Sequence, residues 1–156
     1  MSLKSTPYNI NEVKRSYFLN LFSENSEKKT VGTKVSEYTW RIRDLQLGSI
    51  AEIGLIQMAS NHAHNNKTYC IRCLNTYADG YDSYNVTSAI LYLGSGLTNP
   101  EITSYHKLIS NNLNSITLVI TDDITSSSGI YSGIDANISF GIVLEIIDYV
   151  DSLQNF

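Results

Sequence analysis

The last third of the chain constrains the fold most. Ile116, Leu118 and Ile120 fall on one side of a short segment, and Asp122 to Gly133 is a run rich in Asp, Ser, Thr and Gly. Ile138, Phe140, Ile142, Leu144 and Ile146 then alternate with Asn137, Ser139, Gly141, Val143 and Glu145. Successive side chains of a strand point to opposite faces, so each segment predicts a strand with one buried face. Two such strands joined by a polar turn call for a β scaffold.

Earlier segments extend the pattern. Tyr38, Trp40 and Ile42 alternate with Thr39, Arg41 and Arg43, a half-buried strand. Ile50 to Met58 is apolar enough for a strand covered on both faces. Thr68–Leu74, Val86–Leu93 and His106–Ile109 predict further strands, separated by the polar stretches Ser60–Lys67 and Asn75–Asn85 and the Pro100 loop. About seven or eight strands at this spacing predict an all-β fold, a two-sheet antiparallel sandwich. Spacing alone leaves Greek-key and jelly-roll connections open.

Residues 9–25 differ. Ile10, Val13, Tyr17, Phe18, Leu21 and Phe22 recur at three- and four-residue intervals, which predicts a short amphipathic helix capped by Asn9 or Asn11. Such a helix needs a surface to lie on. Residues 23–36 have no period and read as a linker, so the expected organisation is an arm and linker over 1–36 and a domain over 37–156. Residues 1–35 hold six Lys or Arg against three Glu, and the remainder five against twelve Asp or Glu. A basic arm on an acidic body suits contact with an acidic partner, possible copies of the chain included. A loose, solvated terminus is the competing reading.

Candidate chemistry is sparse. Cys70 and Cys73 form a C-x-x-C, but within a strand residues three apart face opposite ways, which favours two small buried residues over a redox pair. His62 and His64 precede them and would complete a zinc set only if both thiols converged. Asp79, Asp82, Asp122, Asp123 and Asp135 suit turns, and no EF-hand, P-loop, dinucleotide or G-x-S-x-G pattern is present. The expectation is a non-enzyme with no cofactor and no metal. Tyr77, Tyr81 and Tyr84 crowd one loop, as contact residues or as caps on the end of a sandwich. No run reaches the roughly 20 apolar residues of a membrane span. Met1 to Asn9 lacks a signal-peptide core, so a reducing compartment is expected and the three Asn-x-Ser/Thr triplets carry little weight.

Tyr38–Gly48, followed by Ala51–Met58, resembles the start of the single jelly-roll minor capsid proteins of virophages, polinton-like viruses and related large DNA viruses. Ser115–Asp122 and Ile138–Ile146 are similar to their closing strand pair. The resemblance covers most of residues 37–148 and rests on residue types rather than a fixed signature. It implies a single jelly roll and a structural role in the virion, assembled in the host cytoplasm or a viral factory. The implied partners are copies of itself, as a pentameric penton at fivefold vertices, with the major capsid protein and other shell proteins around it. A non-vertex minor capsid position and a trimeric receptor-binding or lectin-like module are the alternatives. In the arm, Val13, Tyr17, Phe18, Leu21 and Phe22 are the expected assembly contacts. Nucleic acid is not an expected partner, because the arm's acids offset half its basic charge.

Overall fold

The computed structural model describes residues 12–48, 50–61, 67–77, 88–122 and 133–151. They hold ten strands: β1 (Glu12–Phe22), β2 (Glu27–Val31), β3 (Lys34–Gln46), β4 (Ile50–Ser60), β5 (Thr68–Cys73), β6 (Ala89–Ser95), β7 (His106–Lys107), β8 (Asn112–Asp122), β9 (Ile134–Asp135) and β10 (Phe140–Asp151). A single 3-10 turn, Ser23–Asn25, is the one helical element among the described residues.

The strands form two antiparallel sheets, β1-β10-β4-β7 and β2-β3-β8-β5-β6, with β9 paired to β3. Setting aside the short β2 and β9, the remaining strands pair as nested partners. The first pairs with the last (β1 with β10), β3 with β8, β4 with β7 and β5 with β6. A long antiparallel ribbon rolled so that its arms fall alternately in two sheets has this order, which is the jelly roll.

The closing strand pair behaves as its alternation predicts. β8 and β10 are interior strands of their sheets, and Ile116, Leu118, Ile120, Ile142, Leu144 and Ile146 line the core between them. Each such side chain contributes about 1.5–3 kcal/mol by leaving water. Tyr38 and Trp40 of β3 fill the core beside Phe140, with the Tyr38 ring edge-on to it at 4.8 Å.

Of the expected helix over 9–25, Glu12–Phe22 is a strand and Ser23–Asn25 the 3-10 turn, while Asn9, Ile10 and Asn11 lie outside the described residues. β1 runs antiparallel to β10 with an unbroken register from Glu12↔Asp151 to Phe22↔Gly141. Tyr17, Leu19 and Leu21 face inward at every second position, and Phe18 and Phe22 lie on the other face. Apolar residues on both faces imitated a helical period. The expected linker is a β-hairpin, β2 to β3, turning through Gly32 at φ 63°, a left-handed conformation that glycine adopts at no steric cost. The boundary expected at residue 37 therefore falls inside β3, and the jelly roll takes in residues 12–36.

Candidate functional site

One face of a sheet that meets water ordinarily carries polar side chains. The outer face of β1-β10-β4-β7 sets large apolar side chains among its polar ones, Ser16, Asn20, Glu52 and Glu145. Phe18 is 56 % exposed, Phe22 55 % and Ile50 51 %. Val143, Ile147 and Tyr149 of β10 share this face and are half-buried.

Local packing holds the patch in place. The Phe22 ring lies over Gly141, where an added Cβ would come within 3.2 Å of it. The carbonyl of Phe22 accepts a 2.8 Å hydrogen bond from the Trp40 indole N–H, and the next residue, Ser23, accepts one at 3.0 Å on Oγ from the Phe140 amide. Both bonds fix the end of β1 against the sandwich. Phe18 stands opposite Glu145, whose carboxylate accepts a short hydrogen bond from the Tyr105 hydroxyl. That bond, with burial second, pushes the Tyr105 phenol up to about 12. The Tyr105 ring in turn covers Gly54, so a glycine seat again carries an aromatic ring on the outer face.

β1 also ends its sheet, since β10 is the strand that pairs with it among the described residues. An edge of 11 residues with apolar side chains and no proline is a template for association unless something covers it.

The structure sorts the expected contact residues. Phe18 and Phe22 are displayed together. Leu21 is not a contact: it is 4 % exposed, opposite Ile142 in the core. Tyr17 is half-buried against the core, and Val13 occupies β1 opposite Val150. Tyr77 is 49 % exposed, with the Lys107 ammonium 5.9 Å from its ring centre, and Tyr81 and Tyr84 lie outside the described residues. Ile50 was not legible as a contact, because its apolar run read as a strand covered on both faces.

The two cysteines part as strand geometry requires. Cys73 joins Tyr69 and Ile71 in the core, and Cys70 alternates to the opposite face; both are buried free thiols. Burial pushes the Cys73 thiol up to about 12, leaving almost no thiolate at neutral pH. A thiol reagent such as Ellman's at pH 8 is therefore expected to leave Cys73 unmodified in the folded protein and to modify it in urea. Rapid native labelling would show that the strand opens. His62 and His64 lie outside the described residues, among which no group of three His, Cys, Asp or Glu could hold a metal ion. Asp122 is buried between Lys67 at 3.4 Å and Lys34 at 3.8 Å, a cross-strand tie. No helix among the described residues is long and apolar enough to cross a membrane.

No family model and no curated protein matches the chain. Solved structures resemble it faintly. One, of infectious bursal disease virus strain Gx, is 17 % identical over 87 % of this chain, with a TM-score of 0.38. This chain spans 32 % of that one, about a third of its length. The Drosophila NLP core, described for pentamer formation and histone binding, is 12 % identical over 89 % of this chain and 99 % of its own, at 0.32. A mutant of the carbohydrate-binding module CBM29-2 is 8 % identical over 94 % of this chain and 86 % of its own, at 0.28. These are likenesses of fold alone. The fold and the patch together define a single jelly roll whose edge strand β1 carries exposed apolar side chains.

Proposed function

We propose that this chain is a structural protein of a viral shell, which joins copies of itself through the outer edge of β1 and closes fivefold vertices as a homopentamer. The observation that carries the reading is the pair Phe18 and Phe22, more than half exposed on a strand that ends its sheet among the described residues. Folding has not buried them, and the resemblance of residues 37–148 to jelly-roll minor capsid proteins supplies the kind of partner. Around the pentamer stand the major capsid protein and other shell proteins, in a virion put together in the host cytoplasm or a viral factory. Assembly needs no cofactor and no catalytic group.

The test is the mass of the protein in solution, by light scattering after size exclusion, with micrographs of any ring. The full chain is expected near five chains. Phe18→Thr with Phe22→Thr keeps a strand-forming side chain at both positions and puts no like charge opposite Glu145. Truncating an aromatic anchor at an interface costs about 2 kcal/mol or more, and each 1.4 kcal/mol is tenfold in affinity. The pair should therefore weaken association by about a thousandfold and leave folded single chains with wild-type far-ultraviolet spectra. A ring that survives both substitutions, or a wild-type chain that never associates, overturns the reading.

A further inference from the structure

The backbone amides and carbonyls of a strand need partners on both of its sides. β10 pairs with one side of β4 from Ile50 to Ser60. On the other side the ladder is short. β7 pairs with Glu52 and Ile53, and the Leu108 amide donates to the Ala51 carbonyl at 2.9 Å. Beyond Ile53, side chains take over from backbone. The Thr103 hydroxyl donates to the Leu55 carbonyl at 3.1 Å, and the Met58 amide donates to Oδ1 of Asn99 at 2.9 Å. The Ser60 hydroxyl donates to the Leu97 carbonyl at 3.4 Å. Residues 97–105, which cross from β6 to β7, thus run along the β4 edge without forming a strand. Pro100, within the crossing, has no N–H to give to a ladder.

The crossing is anchored at its ends and loose between them. Leu97 and Leu108 are buried in the core, and none of the described residues 98–107 is buried. Toward β6 an open groove of about 600 Å³ runs beside it, and Ile102 is 83 % exposed. Tyr105 makes a clasp at the end of the crossing. Its ring lies over Gly54, where an added Cβ would come within 2.9 Å of it. Its hydroxyl donates to Glu145, the β10 residue opposite Gly54. Thr103 packs on the same glycine, 2.8 Å from that Cβ position. A segment held by a few side-chain hydrogen bonds, with no buried side chain of its own, opens at a lower free energy than the sandwich it covers.

We infer that residues 97–105 are a releasable strap that closes the β4 edge to strand pairing, and that its release lets β4 pair with the same edge of a second copy. With the strap open, the Leu55 carbonyl and the Met58 amide lose their partners on a strand of 11 residues without proline. Such an edge is a template for another strand. A second copy brings the identical edge, and two identical edges placed antiparallel satisfy both rows of backbone groups at once, about a twofold axis. The strap makes that association conditional on its own opening. The inference stands apart from the assembly reading, which concerns β1 at the other end of the same sheet.

The test loosens the strap from its far end and reads it at Met58. Thr103→Val with Tyr105→Phe removes two hydroxyls and leaves Asn99, the acceptor of the Met58 amide, in place. The full chain carrying Phe18→Thr and Phe22→Thr is the background, so that the contact proposed for β1 adds nothing. Hydrogen exchange at the Met58 amide, in dilute solution, is expected to speed up about tenfold or more, while the amides of β8 in the other sheet keep their rates. In concentrated solution light scattering is expected to show paired chains, with protection returned to the Met58 amide. An unchanged rate at Met58, or an equal rise at Met58 and in β8, overturns the strap as a separate opening unit. Faster exchange with no association at any concentration overturns its role as a guard. A background that still forms a ring counts against the assembly reading alone, and exchange at Met58 then decides for the strap. Should the double substitution unfold the chain, Tyr105→Phe alone replaces it, with a rise of about threefold expected at Met58.

Discussion

Deleting residues 1–36 is expected to abolish cooperative folding rather than to release an arm. The deletion removes β1, and with it the whole partner register on one side of β10. An interior strand of 12 residues then becomes a bare edge, with Ile142, Leu144 and Ile146 next to it. Leu21 leaves the core, and a leucine lost from a packed core costs about 2–5 kcal/mol. The Trp40 indole N–H and the Phe140 amide lose their partners Phe22 and Ser23, at about 1–3 kcal/mol for each group left buried and unpaired. The same cut takes β2 and the start of β3, including Val35, which is fully buried and pairs with Ile134 of β9. Against a total stability of about 5–15 kcal/mol, these losses leave no folded state. Urea titration followed by circular dichroism should show a clear transition for the full chain and a sloping line for residues 37–156. A shared midpoint would make residues 37–156 the domain and residues 12–36 an appendage.

The sandwich was legible because its interior strands alternate. Ile116, Leu118 and Ile120, and then Phe140 to Ile146, show period two because one face is buried and the other carries smaller or polar groups. The jelly-roll order was not legible from spacing, since which strands pair is decided by contacts far apart in the chain, such as Phe22 with Gly141. β1 was misread for a reason that bears on function. Tyr17, Leu19 and Leu21 alone would have read as a strand, but Phe18 and Phe22 on the outer face filled in the helical spacing. Local pattern fails where a residue answers to something other than its own fold, and those positions are the first to ask about partners.

Trp40 joins the core to the end of β1, and its replacement separates stability from the proposed assembly. The side chain is 4 % exposed, stacked 6.0 Å from Tyr38 and edge-on to Phe140 at 6.2 Å. Trp40→Ala empties that space and is expected to cost about 3–5 kcal/mol, a large share of the total. Trp40→Phe keeps much of the ring contact and loses the N–H that holds the Phe22 carbonyl, at about 1–2 kcal/mol for the hydrogen bond. Denaturation must be followed by circular dichroism, because Trp40 is the only tryptophan and its fluorescence disappears with it. If the indole positions the end of β1, Trp40→Phe remains folded at 25 °C yet assembles more weakly than the wild type, since Phe22 is held less firmly over Gly141. Equal destabilisation by Phe and Ala would place the whole effect in the hydrogen bond. A Trp40→Phe protein that assembles as the wild type does would confine Trp40 to the core. The expected ordering follows from where the indole sits: its ring packs inside the sandwich, while its one polar atom reaches the strand proposed to meet the next copy.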